Sequence, residues 1–570
     1  MTTKSLFDRV VHFSLVQRWL ILLIFIALAI LGVYNYLRLP IDAVPDITNV
    51  QVQINTEAQG YSPLEVESRL SFPIENVLAG LPHLKQTRSL SRYGLSQVTV
   101  IFEDGTDIYF ARQLVNERLQ GVRNQLPTGI TPELGPIATG LGEIFMYTVE
   151  NKQDASKPLD PTELRIIQDW IVKPQLRQVQ GVTEVNTIGG HVKQYVVAPK
   201  LHELQMRGLS IREVMQALSA NNSNVGAAYI EKSGEQYLIR SPNQFTSLDE
   251  IGQIAVKTID GQVIRLNDVA TVNLGQELRT GAATKDAQEV VLGTVFMLIG
   301  ENSRMVSMRV ADKLNTIQQS LPDGVVAKPV YDRTHLVDAT INTVKKNLLE
   351  GALLVIAVLF VFLGHLRAAL ITALVIPLAM LLTITGMVTN RVSANLMSLG
   401  ALDFGIIIDG SVVIVESSLR KLVERQQQLG RVLTRSERFE TVFDASKDAR
   451  QALLFGQLII MVVYLPLLTL TGVEGKMFIP MALTVVMALM AAMLLSVTFV
   501  PAAIAMVTTG HIQESDHRLM RYLRNSYQKI LTEAFAKRWF VLGGVGSLLV
   551  FCVLLATRLG SEFIPSLDEG

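Results

Sequence analysis

Seven apolar runs of membrane-spanning length punctuate the chain: Trp19–Leu37, Leu348–Gly364, Ala368–Thr389, Ala394–Ser417, Gln451–Thr471, Met477–Thr508 and Trp539–Ala556. Each is near the ~20 residues that a helix needs to cross about 30 Å of hydrocarbon. A long polar block with its own periodicity separates the first run from the second. Val50–Glu57 alternates apolar and polar residues, as a half-buried strand does. Ser62-Pro63-Leu64-Glu65 then supplies an N-cap serine, a proline at the first helical turn and a glutamate at the third position. That helix should run to about Leu78. Lys85–Ser91 and Leu95–Phe102 flank Arg92-Tyr93-Gly94 as a hairpin, Asp107–Asn124 reads as a second helix and Glu143–Glu150 as a fourth strand. The order β-α-β-β-α-β predicts a ferredoxin-like subdomain. A second αβ subdomain follows, with a helix over Pro161–Leu176, strands over Thr183–Ile188 and Lys193–Ala198, and a helix over Ile211–Ala220. Mixed strands fill 225–300, with a β-rich excursion near 222–260, and a helix over Ser303–Gln319 leads towards the second apolar run. The fold class is therefore an α-helical polytopic membrane protein with a large α+β insertion of βαββαβ subdomains.

Composition agrees. Of 570 residues 49% are hydrophobic and the formal net charge is zero, which suits a membrane protein and gives no basic surface for nucleic acid. The one cysteine, Cys552, excludes a disulfide within the chain and a cysteine-rich metal site. Eight histidines are present, none in an H-x-H or H-x-x-x-H pair. No nucleophile elbow or phosphate loop is visible, so neither an enzyme nor a bound cofactor is expected.

Basic residues orient the spans. Arg420, Lys421, Arg425, Arg431, Arg435, Arg438, Lys447 and Arg450 crowd the connection 418–450, and Arg518, Arg521, Arg524, Lys529, Lys537 and Arg538 follow Thr508. The links at 390–393 and 472–476 carry only Arg391 and Lys476. Positive-inside reasoning puts the basic connections and the N-terminus in the cytoplasm and the αβ block on the far side. The expected parts are a leader and first span (1–38), an extramembrane region (39–345), spans two to six (346–510), a cytoplasmic amphipathic helix (511–538), a seventh span (539–557) and the start of a second extramembrane domain (558–570). The last two rest on a repeat. At an offset of 520, Arg18-Trp19 matches Arg538-Trp539, Arg38-Leu39 matches Arg558-Leu559, and Pro45 matches Pro565. The chain thus reads as the N-terminal half of a protein built from two copies.

Within Ala394–Ser417 lie three carboxylates, Asp403, Asp409 and Glu416, and no Lys or Arg. An ionised group at the bilayer centre costs about 2.5–3.5 kcal/mol on insertion scales, so three acids in one span point to work done by protonation. At about 100° per residue Asp409 and Glu416 share a face, with Asp403 about 120° round from Asp409. They should border a broad inner face of the helix bundle. A carboxyl in such a low-dielectric bundle favours its neutral form, so Asp409 could take a proton on one side and release it on the other. Met477, Met481, Met487, Met490 and Met493 might suggest a soft-metal ladder, but their spacing spreads them round the helix and reads as packing.

The stretches LPIDAVPDITNVQVQ (39–53), SRYGLSQVTVIFEDGTDIYFARQLVNERLQ (91–120), GAATKDAQEVVLGTVFMLIGENSR (281–304), NLMSLGALDFGIIIDGSVVIVES (395–417), FGQLIIMVVYLPLLTLTGVEGKMF (455–478) and GSEFIPSLDEG (560–570) resemble the resistance–nodulation–division (RND) superfamily. Within it they resemble the heavy-metal efflux branch, the inner-membrane pumps of cobalt–zinc–cadmium resistance systems. Asp403, Asp409 and Glu416 fall on the acids of that family's fourth membrane helix. The three-acid form resembles the branch for divalent cations (zinc, cobalt, cadmium or nickel) more than the copper/silver branch, which keeps only the middle acid. Ser411 and Ser417 depart from the pattern, where alanine and asparagine are usual. The resemblance implies a homotrimer in the inner membrane, energised by protons and docked to a periplasmic adaptor and an outer-membrane channel. It also implies that the metal-capture cleft and a basic partner for the acids come mainly from the second half, so no metal ligand is assigned. A copper/silver pump and a truncated, non-transporting membrane subunit are the competing readings.

Overall fold

A computed structural model of the chain describes residues 6–39, 46–138, 140–154, 157–222, 225–241, 245, 247–259, 261–279, 281–363, 365–390, 392, 394–400, 404–510 and 518–558. The chain forms two compact units, one of Met1–Ile137, Asn302–Arg304 and Arg333–Gly570, the other of Ala138–Glu301 and Met305–Asp332.

The first unit contains a four-stranded antiparallel sheet. Gln51–Glu57 lies between Leu95–Phe102 and Glu133–Leu134, and Leu84–Arg92 forms the far edge. Val52 pairs with Val100 and Ile54 with Val98, and side chains alternate along a strand, so both apolar sets share one face. Two helical stretches cover that face. One starts at Pro63, where the Glu65 carboxylate accepts the Ser62 N–H at 2.9 Å and Ser62 Oγ caps the Glu65 N–H. It buries Val66, Leu70, Ile74 and Leu78 at every fourth position, passing through a π-turn over Glu67–Ser71. The other, Ile108–Val122, buries Ala111, Val115, Leu119 and Val122. The fourth strand of this sheet is therefore Glu133–Leu134, and Glu143–Asn151 pairs elsewhere. A two-residue edge strand carries too little alternation to be read from sequence, whereas EIFMYTVEN announces itself wherever it pairs.

Five helices among the described residues are long and apolar enough to cross a membrane: Arg18–Tyr36, Leu366–Thr389, Arg435–Tyr464 with its 3₁₀ extension to Thr469, Gly472–Val507 and Arg538–Ala556. Of the two remaining apolar runs, 348–363 is the C-terminal half of the helix Arg333–Leu363. The run 394–417 falls in Leu396–Gly400 and Phe404–Leu429, and residues 401–403 lie outside the described set. The basic connection 418–450 is largely helical, because Phe404–Leu429 continues about three turns beyond its apolar part and Arg435–Tyr464 starts at a Thr434–Glu437 capping box. The amphipathic segment forms the helix Arg518–Ala536. Residues 511–517 before it, and 559–570 at the start of the expected second domain, lie outside the described residues. Small side chains let these helices approach closely: Ala368, Ala369 and Ala379 of one helix and Ala488, Ala491, Ala492 and Ala503 of another are buried in one cluster.

The second unit repeats the β-α-β-β-α-β connectivity. Its sheet runs Val182–Ile188, Gln288–Met297, Glu143–Asn151, Val325–Asp332, all antiparallel. The helical stretch from Pro161 to Leu176 and the helix Ser303–Ile317 fill its core with Leu164, Val172, Leu176, Val306, Val310 and Leu314. The strand Val325–Asp332 was not anticipated between the Ser303 helix and the second apolar run. The excursion is also larger than 222–260. Lys193–Pro199 pairs with Ala270–Gln276, so it opens before 193 and closes after 276, around a small core of Leu204, Val214, Ile251, Leu266 and Val269. The chain leaves the sheet through Gly189 and Gly190, with φ of +84° and +65°. A Cβ on Gly190 would stand 2.6 Å from the Pro161 carbonyl oxygen, a backbone atom with nowhere to go.

Gly190→Ala combines a left-handed backbone penalty of about 1–2 kcal/mol with a backbone clash. It should cost about 2 kcal/mol or more, read as faster amide hydrogen exchange across 143–332 in the purified chain. A second expectation concerns acid. The Lys257 ammonium at 2.7 Å, then the Ser210 N–H and hydroxyl, hold the Glu213 carboxyl down at about 2. A carboxyl depressed in the folded state stabilises above its ordinary range and loses that contribution as pH falls through the folded value. The unfolding midpoint of the 193–276 region should therefore drop between the ordinary carboxylate range and pH about 2, and Glu213→Gln should flatten that decline.

Candidate functional site

Phe404–Leu429 carries the acids. Its buried positions include Ile407, Ile408, Gly410, Ser411, Ile414, Val415, Ser418 and Leu422. Asp409, Val413, Glu416 and Arg420 are exposed. Steps of four, seven and eleven residues return to within about 40° of one direction, so these four form a single stripe. Asp409 and Glu416 are thus aligned as expected, about 10.5 Å apart along the axis. They do not line the inner face of this chain's bundle, however. That face is made of glycine, serine and aliphatic side chains, and the acids occupy the opposite one. Both flanks of the helix are apolar enough to pack, so sequence could not say which flank this chain covers. Asp403 lies outside the described residues.

Towards the end of the helix, the Lys421 ammonium donates to the Asp448 carboxylate and the Asp444 carbonyl, and Arg420 stands 3.8 Å from Glu424. The Lys421 contacts tie Phe404–Leu429 to Arg435–Tyr464, and the Arg420–Glu424 pair lies within the first of these helices. Deeper in the bundle a polar cluster forms on the inner face around Ser411. Ser496 Oγ of Gly472–Val507 donates to Ala492 O at 2.7 Å and contacts Ser411 Oγ at 2.9 Å. Gln457 of Arg435–Tyr464 is 3% exposed. A Cβ on Gly410 would lie 2.7 Å from Gln457 Nε2 and 3.2 Å from Ser496 Oγ. An added Cβ there would push the Gln457 amide aside, because that amide packs against the backbone at Gly410, next to Asp409.

Gly472–Val507 also reaches the αβ part of its own unit. Near its start the Lys476 ammonium donates to the Thr48 carbonyl at 2.6 Å and pairs with Asp104 at 2.7 Å. Asp104 directly follows the strand Leu95–Phe102 and its Glu103 neighbour. One helix, about 54 Å long by its residue count, therefore touches both the acid-bearing helix and the first sheet. Sequence reading passed over Gln457, Ser496 and Lys476. A lone amide inside ALLFGQLIIMVV and a lone cation at the head of an apolar run were the available signals.

Among the described residues no group of three or more His, Cys, Asp and Glu side chains is placed to hold a metal ion. The methionine positions fit packing: Met477 is buried, Met490 is 47% exposed, and Met487 sulfur lies against Gly386.

The model of the AcrB/AcrD/AcrF family matches residues 10–570. The cation efflux system protein CzcA of an Alcaligenes species and the cobalt-zinc-cadmium resistance protein CzcA of Cupriavidus metallidurans are each 61% identical over 569 residues, covering 99% of this chain and 54% of theirs. A crystal structure of a heavy metal efflux pump superposes with a TM-score of 0.83 at 32% identity, over 98% of this chain and 53% of that one. The chain spans about half the length of the curated relatives it matches.

Gly410→Ala forces the Gln457 amide off the helix and should destabilise the membrane bundle by about 1–3 kcal/mol. Shortening the intruding side chain with Gln457→Ala in the same protein should recover part of that loss. A double-mutant cycle on thermal unfolding in detergent reads the coupling, and additive effects would show that the two residues do not meet.

Proposed function

The chain belongs to the AcrB/AcrD/AcrF family, and from that premise we propose that it forms part of a proton-driven exporter of divalent heavy-metal cations. Zinc, cobalt and cadmium are the first candidates, followed by nickel. The reading is supported by 61% identity to a cobalt-zinc-cadmium resistance protein. The observation that carries it is the stripe of Asp409 and Glu416 on a helix whose other positions from Phe404 to Leu419 are apolar or small. We assign the relay to Asp403, Asp409 and Glu416, the metal ion being cargo.

Carboxylates at membrane depth cannot face acyl chains without a cost of about 2.5–3.5 kcal/mol each. The acid-bearing face of Phe404–Leu429 must then meet protein or water. In an intact pump of the relatives' length, the second repeat would cover it and bring a basic partner. Charging and neutralising Asp409 would change the packing this face prefers, and a ligand or proton can shift a two-state equilibrium only through such differential contact. Ser411 and Ser496 pass the change to Gly472–Val507, and the Lys476 clasp on Asp104 and Thr48 passes it to the first sheet.

The rest of the assignment follows the family. Seven spans would place the N-terminus and basic connections in the cytoplasm and the αβ regions in the periplasm. A homotrimer in the inner membrane would dock a periplasmic adaptor and an outer-membrane channel, with no role for nucleic acid.

In cells relying on the intact pump for zinc tolerance, Asp409→Asn should abolish export while membrane insertion and assembly stay normal. Lys476→Met should leave zinc binding in place and lower the transport rate several-fold. Wild-type tolerance in Asp409→Asn cells would remove the relay.

A further inference from the structure

The polar patch behind Asp409 has no part in the relay as described so far. Neither Nε2 nor Oε1 of Gln457 has a hydrogen-bond partner among the described residues, although the side chain is 97% buried by its 3% exposure. Leaving a buried donor or acceptor unmade costs about 1–3 kcal/mol each, a large cost in an apolar bundle. The surroundings offer a remedy. Ser496 gives its proton to Ala492 O, so the 2.9 Å contact with Ser411 runs from the Ser411 hydroxyl to Ser496 Oγ. Each hydroxyl oxygen keeps a lone pair free of these two bonds. The patch thus presents an amide N–H₂ as donor and an amide oxygen and two hydroxyl oxygens as acceptors. A buried water makes two to four hydrogen bonds to such groups. A cation is disfavoured, because the amide nitrogen presents hydrogens and no group of three or more acidic, histidine or cysteine side chains is placed to hold one among the described residues. Seven residues further along the same helix, Ser418 Oγ is also buried without a partner among the described residues.

We propose that Gln457, Ser411 and Ser496 hold buried water against Gly410, and that this hydrated site is the inner station through which Asp409 exchanges its proton. The inference rests on the relay reading above. The Gln457 nitrogen lies within about 8 Å of the Asp409 Cα, since consecutive Cα atoms are ~3.8 Å apart and a Gly410 Cβ would be 2.7 Å from that nitrogen. Gly410 lies about 100° round the helix from Asp409, so a short chain of waters running past the Gly410 backbone would join the amide to the carboxylate. In the transfer, a water O–H breaks as an O–H forms on the Asp409 carboxylate, and that water regains a proton from the next one in line. The amide keeps its own protons throughout, so Gln457 is a positioning residue.

The test uses the intact transporter in liposomes, with zinc-driven proton flux followed by an internal pH dye across a range of pH. Gln457→Leu keeps the volume and removes the hydration. It should lower the flux about a hundredfold, the low end of what a positioned proton-transfer group contributes, with zinc affinity unchanged. Gln457→Glu should restore flux with a displaced pH profile, which a purely structural role would not produce. Asp409→Asn runs beside them. If it abolishes flux while Gln457→Leu matches wild type at every pH, the relay stands and the water station falls. If Asp409→Asn itself transports normally, the relay reading falls and takes the station with it. Should Gln457→Leu fail to fold, a lipid-embedded structure of the wild type decides. Water density within hydrogen-bond distance of the Gln457 amide is expected, and an amide bonded directly to protein on both atoms overturns the proposal.

Discussion

A carboxylate on a membrane helix must find water, a counter-charge or a proton, because hydrocarbon offers it none of these. Phe404–Leu429 resolves that demand by asymmetry. One face, with Gly410, Ser411, Ile414 and Ser418, is closed against two other helices of the same chain. The other holds Asp409 and Glu416 in line and stays outside that closure. On the proposed function, the open face carries the titrating acids, and the closed face is a bearing that also holds the proposed water station beside Gly410. The separation matters mechanically, since a helix clamped on one side can answer a charge change on the other by rocking as a rigid element.

The clamp itself is built for close approach. Gly410 admits the Gln457 amide, and paired serines replace bulkier side chains between Phe404–Leu429 and Gly472–Val507. Small residues at helix crossings trade side-chain volume for backbone proximity. The long helix then carries any displacement to Lys476, where two contacts fix it to the first sheet. A single cation reaching both a carbonyl and a carboxylate gives a directional joint that apolar packing could not.

The two sheets show how much of a fold local patterning can carry. The first uses four antiparallel strands and the second five, the short Ala283–Lys285 being the extra one. Each has two covering helices in the same β-α-β-β-α-β connectivity, with apolar residues at every second strand position and every fourth helix position. Their cores are independent, so each βαββαβ pattern could be recognised by itself. The second sheet carries an insertion between its second and third strands, entered at Gly189-Gly190. At these glycines the backbone takes a left-handed path under direct contact with the backbone of another chain segment.

The order of strands, helices and apolar runs was legible in the chain because hydrophobic period and capping residues act over a few neighbours. The helix start at Ser62, the hairpin at 92–94 and the alignment of Asp409 with Glu416 all followed from spacing alone, whereas the capping box at Thr434 emerged only in the structure. Strand partnership was not legible. Glu143–Asn151 has the same alternation whichever sheet it joins, and only the register against 288–297 and 325–332 assigns it. The two-residue strand Glu133–Leu134 was too short to show any period. The same limit hid the polar patch: Gln457, Ser411 and Ser496 are far apart in sequence, and hydrogen-bond reach is a property of space. Sequence therefore determined that acids sit on one line of a membrane helix. Tertiary packing decided that this line faces away from the chain's own bundle, because which of two apolar flanks is buried depends on the helices that meet it.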